Sequence, residues 1–253
     1  TGLKTFIGKV NMDRNSPDYL RETDAAQSLA DTEKWVQDCK GRYQNTAPIL
    51  TPRFTPSCTD ALMEGLGTLQ KRTGLPVQSH LSENHSEIAW VKELCPSTEF
   101  YGESYDRYGL FGGDGCKTIM AHCVHSGKEE VDLIEKRGVF IAHCPQSNTN
   151  LSSGIAPVRT YLDRDLHVGL GSDIAGGFSP SIFRAMSDAV QVSKLRWRLQ
   201  DDSLKPLTMP EAFYLGTKGG GAFFGKVGSF ETGYEFDALV LDDSGLRAPM
   251  ELT

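Results

Sequence analysis

A parallel α/β fold is predicted by two features of the 253-residue sequence. Six short apolar runs recur along it, continuous rather than alternating, as suits strands buried on both faces of a sheet. Between most of them lie stretches with helical spacing, and strands alternating with helices give parallel pairs joined by right-handed crossovers. The sequence is 39% hydrophobic and 23% charged, ordinary for a globular protein, and long enough for one large domain or two small ones.

The runs are "TFIGKV" (5–10), "APILTPRF" (47–54), "LPVQSH" (75–80), "KTIMAH" (117–122), "VFIAHC" (139–144) and "LHVGLGSD" (166–173). Leu62, Leu66 and Leu69 line one face of a helix from about Thr59 to Lys71. Polar sequence after His80 reads as the start of another helix, and Val131 and Ile134 mark one after the fourth strand. Ile182, Ala185, Met186 and Ala189 place a further helix after the sixth strand, running towards Leu199. An open doubly wound sheet and a (β/α) barrel both fit this rhythm. No GxGxxG or GxxxxGK[ST] follows any strand, so no motif supports a nucleotide-cradling open sheet. The last 25 residues change character and read as a hairpin or small strand pair appended to the main domain.

The net charge of −7 and a pI near 5.4 argue against a nucleic-acid or membrane-surface partner, because phosphate binding needs a basic face. There is no apolar run near 18 residues and no signal peptide at Thr1, so neither membrane insertion nor export is expected. Six scattered cysteines without a CxxC pair read as free thiols in a reducing cytoplasm and make a cysteine-based zinc site unexpected.

The strand ends are where chemistry concentrates. The six runs end in Met12 with Asp13, Arg53 with Phe54, His80 with Glu83, His122, His143 and Asp173. Taken singly, each has a structural reading. A lone histidine at a strand end is more often a hydrogen-bonded structural residue than a ligand, Asp173 in "GSDIAGG" suits a turn cap, and Glu83 suits a helix N-terminus. His85 and His125 fall in polar flanking sequence and read as solvated, and His167 as structural. In a parallel barrel, however, the carboxyl ends of the strands converge on one face, where active sites sit. Histidine and aspartate suit zinc or iron, and a carboxylate that is not a ligand, such as Glu83, can carry a proton from water to a leaving group.

The stretches "IGKVNMD", "LTPRFTPSC", "QSHLSEN", "MAHC", "IAHCPQSNTNLSSG", "GLGSDIAGG" and "FETGYEFDALVL", in this order, resemble the amidohydrolase superfamily, and within it most closely the guanine deaminases. The resemblance implies a distorted (β/α)8 barrel, here incomplete with about six of eight barrel strands over residues 1–225, and a C-terminal remnant of a small β-sandwich over 226–253. It implies hydrolytic deamination of guanine to xanthine and ammonia by a metal-activated water. In that reading His80 and Asp173 are metal ligands, and Glu83 is the proton shuttle. His122 holds the water or polarises the substrate. Arg53 contacts the guanine carbonyl and Phe54 its ring, with His80 and Glu83 completing the substrate site. "HCPQSN" (143–148) forms pocket wall, with His143 itself structural. One divalent metal, zinc or else iron, a cytoplasmic location and a homodimer are further implications. The superfamily also uses an HxH pair at the end of its first barrel strand, and no HxH occurs here. The resemblance therefore implies an N-terminally incomplete chain that lacks two expected metal ligands and is expected to be inactive alone. Two alternatives stand: another amidohydrolase acting on a related aminated or chlorinated ring, and a non-catalytic binding fragment.

Overall fold

The computed structural model describes residues 3–242. The first two apolar runs each form two short strands: β1 (Thr5–Ile7) with β2 (Val10–Asn11), and β3 (Thr46–Pro48) with β4 (Thr51–Pro52). The two runs break at matching positions, 8–9 facing 49–50 in the register, and Leu50 in that break turns its pairing to Val77 of the next strand. The remaining runs form β5 (Val77–Leu81), β6 (Thr118–His122), β7 (Phe140–His143) and β8 (Val168–Leu170).

All strand pairings among the described residues are parallel. β1 pairs with β3 and β2 with β4, Leu50 bridges to Val77, and β5-β6-β7-β8 form one ladder. The six runs thus lie side by side in chain order, and they curl. Phe6 of the first run and Phe140 of the fifth both pack on Phe223, at ring centroid distances of 5.6 and 5.2 Å. In a flat sheet, strands four places apart would be separated by about 19 Å, so one ring could not serve both. This is the curvature of a partial barrel.

Helices cover the convex side. The register places Gln78, His80, Ile119, Ala121 and Phe140 on the concave face. Val77, Leu81, Met120, Ile141 and Val168 face the other way. There they pack against Leu62, Leu66 and Leu69 of α2 (Asp60–Thr73), Val131 and Ile134 of α5 (Lys128–Arg137), and Met186 and Ala189 of α8 (Ile182–Leu199). The helices read from leucine spacing are therefore present, within two residues of their expected bounds. Helix α1 (Ala25–Cys39) was not anticipated. Its mean hydropathy is near neutral, and it buries Ser28, Thr32, Val36 and Cys39 rather than a leucine stripe. The shorter helices are α3 (His85–Leu94), α4 (Glu103–Asp106), α6 (Pro145–Asn150), α7 (Val158–Asp163) and α9 (Met209–Tyr214). Among the described residues, 226–242 form no strand. The rest of the appended strand pair expected there, 243–253, lies outside the described residues.

Gly67 of α2 sits where no side chain fits. A Cβ there would fall 2.1 Å from the backbone carbonyl oxygen of Tyr108. Gly67→Ala should destabilise the fold on the order of 1–2 kcal/mol, because overpacking against backbone outweighs alanine's better helix propensity. A lowered urea midpoint with unchanged slope would record it.

Candidate active site

Parallel strands put the polar strand ends on one rim. Arg53 directly follows β4, His80 lies in β5, Glu83 two residues beyond it, His122 ends β6, and Asp173 lies three residues past β8. Arg53, Phe54, His80, Glu83, His122 and Asp173 all line one pocket of about 890 Å³. His143 does not. It shares a face of β7 with Ile141, under the helices, and the "HCPQSN" stretch stands behind the pocket rather than in its wall. That departs from the expectation, because the strand ends at His143 and the chain turns at once into α6.

Two backbone features aim these side chains. Strand alternation alone would send His122 to the helix side with Met120. Its φ of +77° breaks the alternation, and its ring stacks on that of His80, with centroids 5.3 Å apart and planes at 22°. Ser82 and Asp173 also have positive φ, +46° and +44°. Such conformations cost about 1–3 kcal/mol each and cluster at functional sites. Gly176 lets the loop close over Asp173, since a Cβ there would lie 2.9 Å from Asp173 Oδ2 and 2.7 Å from Ser147 Oγ.

Hydrogen bonds set the tautomers. His80 Nδ1 lies 2.6 Å from the Arg53 carbonyl oxygen. A carbonyl only accepts, so Nδ1 carries the proton and Nε2 keeps its lone pair. Burial, and next the His122 ring, push the His80 imidazole below its ordinary pKa, favouring the neutral form. The Tyr105 hydroxyl, fully buried, donates to the His80 carbonyl (2.9 Å) and accepts from Thr55 N (3.2 Å), tying β5 to the Arg53–Phe54 turn. His122 Nδ1 donates to Asn148 Oδ1 at 2.9 Å. Its Nε2 is buried, has no hydrogen-bond partner among the described residues, and faces Glu83 Oε2 at 3.7 Å and Asp173 Oδ2 at 4.0 Å. Phe54 is flanked edge-on by His80 and Trp90, at 6.5 and 6.2 Å. Among the described residues the Arg53 guanidinium has no ion pair.

A neutral imidazole lone pair at His80 and the Asp173 carboxylate are donors that fit a divalent metal. Among the described residues no group of three His, Cys, Asp or Glu is placed to hold a metal ion.

The sequence profile of the amidohydrolase family matches residues 1–252. The chain belongs to the amidohydrolase family. Among solved amidohydrolases and their relatives, it is similar to a guanine deaminase from C. acetobutylicum with guanine bound in the active site. The two share 54% sequence identity with a TM-score of 0.90, over 94% of this chain and 56% of that one. It is 43% identical to the guanine deaminase of Dictyostelium discoideum and 40% to that of Homo sapiens, in each case over 99% of this chain and 55% of the relative. This amidohydrolase chain thus spans about half the length of the curated relatives it matches.

The structure also brings together residues that the sequence reading passed over. Asn148 and Ser153 sit inside a quoted stretch, yet only the fold shows them bonding His122 and Glu83. His85 is exposed as expected, while His125 is only half-exposed. Their rings lie 3.9 Å apart, and His125 Nε2 donates to the Ser153 carbonyl at 2.7 Å. His167 stacks flat on Phe140, consistent with a structural role.

Burial, and next the His122 ring, push the wholly buried His143 imidazole down to about 4. The folded pKa lies below the unfolded value near 6.5, so the unfolded chain binds the extra proton first. The stability this contributes is fully present above pH 6.5 and is lost as pH falls from there towards 4. His143→Gln should therefore flatten the decline in melting temperature between pH 7 and pH 4.

Proposed function

We propose that the protein hydrolyses guanine to xanthine and ammonia. One observation carries the reading: a guanidinium without an ion pair among the described residues and an aromatic ring, Arg53 and Phe54, share a pocket with a carboxylate–imidazole pair, Glu83 and His122, in a chain strongly similar to guanine deaminases. In this reading the Arg53 fork donates to the guanine carbonyl oxygen, and Phe54, backed by Trp90, stacks on the purine. Glu83 takes one proton from the attacking water and delivers it to a ring nitrogen. It then carries the second proton, from the hydroxyl now on the ring carbon, to the departing amino group, so that one water gives the carbonyl of xanthine and one ammonia. His122 Nε2, held in place by Asn148, orients that water against the ring carbon bearing the amino group.

His80 and Asp173 would hold a divalent metal, with zinc the proposed ion, and such an ion supplies Lewis-acid activation of water when bound. A homodimer is carried over from the family resemblance. A cytoplasmic location is supported by six buried, free cysteines; no helix among the described residues is long and apolar enough to cross a membrane.

The test is a substrate panel run with the whole protein. kcat/KM for guanine should exceed that for adenine, cytosine and chlorinated s-triazines by at least about 100-fold. A higher value for one of the other rings would replace guanine with that substrate.

A further inference from the structure

The turn after α6 reaches the reacting carboxylate from behind. Ser153 N and Gly154 N both donate to the Asn148 carbonyl, at 2.8 and 3.3 Å, and Ser152 takes a φ of +57°. Gly154, at φ +130°, lies so close to Val124 and His125 that a Cβ would meet them at 3.1 and 3.2 Å. With His125 also donating to its carbonyl, Ser153 is held from several sides and is only 6% exposed. Its hydroxyl donates to Glu83 Oε1 at 2.8 Å, across 70 positions of sequence. Among the described residues, it is the only hydrogen-bond donor to that carboxylate.

We propose that Ser153 is a positioning residue for the proton transfer, fixing Oε1 of Glu83 so that Oε2 is the oxygen that faces His122 Nε2 and exchanges protons. This rests on the reading of Glu83 as the proton carrier. The end of a glutamate side chain rotates in a broad, nearly two-fold well, so an untethered carboxylate presents either oxygen and spends time turned away from the reacting atoms. Proton transfer depends on short, aligned contacts. Ser153 does not line the pocket, so the effect belongs in turnover rather than in substrate affinity.

The experiment compares Ser153→Ala and Ser153→Thr in the whole protein, with guanine as substrate. Ser153→Ala should lower kcat about 10- to 100-fold with KM changed by less than about threefold, and Ser153→Thr, which keeps the hydroxyl, should restore kcat to within about threefold of wild type. Unchanged kcat in Ser153→Ala, or no rescue by threonine, overturns the proposal. A second readout needs no turnover. The infrared carboxylate band that disappears in Glu83→Gln should shift in Ser153→Ala and stay in place in Ser153→Thr. If wild-type protein deaminates no guanine, the proposed function fails on its own, and an unshifted band is then what overturns the role of Ser153.

Discussion

Glu83→Gln is expected to lower guanine turnover by about 10²- to 10⁴-fold, the range that a positioned general acid–base contributes, while leaving the fold intact. The amide keeps the size of the side chain and can still accept from Ser153 Oγ, so the 2.8 Å contact that places it survives. Lost is the ability to take a proton from water and return it to the ring. His122 cannot replace it: Nδ1 is committed to Asn148, and Nε2 points at the carboxylate that the substitution removes. Affinity for guanine should change little, because recognition is assigned to Arg53 and Phe54. Single-turnover kinetics with a parallel measurement of guanine binding would check both halves. Loss of binding together with turnover would mean that Glu83 holds the substrate rather than moves protons.

Arg53→Ala should reduce kcat/KM for guanine by about 10²- to 10³-fold, while an aminated purine without the carbonyl is turned over almost as before. A guanidinium offers a planar fork of donors, and removing a donor aimed at a substrate oxygen leaves that oxygen without its partner in the bound complex. Among the described residues Arg53 makes no ion pair, so its removal breaks no internal salt bridge. Its backbone carbonyl, which accepts from His80 Nδ1, is kept. The substitution therefore separates recognition from chemistry at one position. Equal losses on both substrates would point to a structural or electrostatic role instead.

Much of this arrangement was legible in the sequence because barrel strands write themselves as continuous apolar runs. All six runs hold strands, and four of the six end in residues that line the pocket, whereas Asp13 accepts from Thr59 and His143 lies under the helices. Arg53, Phe54, His80, Glu83, His122 and Asp173 come together in one pocket, as the convergence of parallel strand ends on one rim suggests. What the sequence hid depends on backbone conformation or on distant partners. Positive φ at His122 is invisible in a string of letters, and without it β6 would bury that ring with Met120. Asn148 and Ser153 act through hydrogen bonds over 26 and 70 positions, and neither residue type nor spacing signals such a bond. Helix α1 escaped because half of what it buries is polar. Ser28 and Thr32 accept from Asn11 of β2 at 2.8 and 2.7 Å, giving a hydrogen-bonded contact where a leucine stripe would have been recognisable.

The measurement that tests the account most directly is guanine turnover by the whole protein in water enriched in ¹⁸O, followed by mass spectrometry of the purine and assay of ammonia. Hydrolysis with Glu83 as proton carrier predicts one ¹⁸O atom in each xanthine formed and one ammonia released with it, and both should vanish together in Glu83→Gln. Xanthine without the label, or labelled xanthine formed as fast by the Glu83→Gln protein, would contradict it.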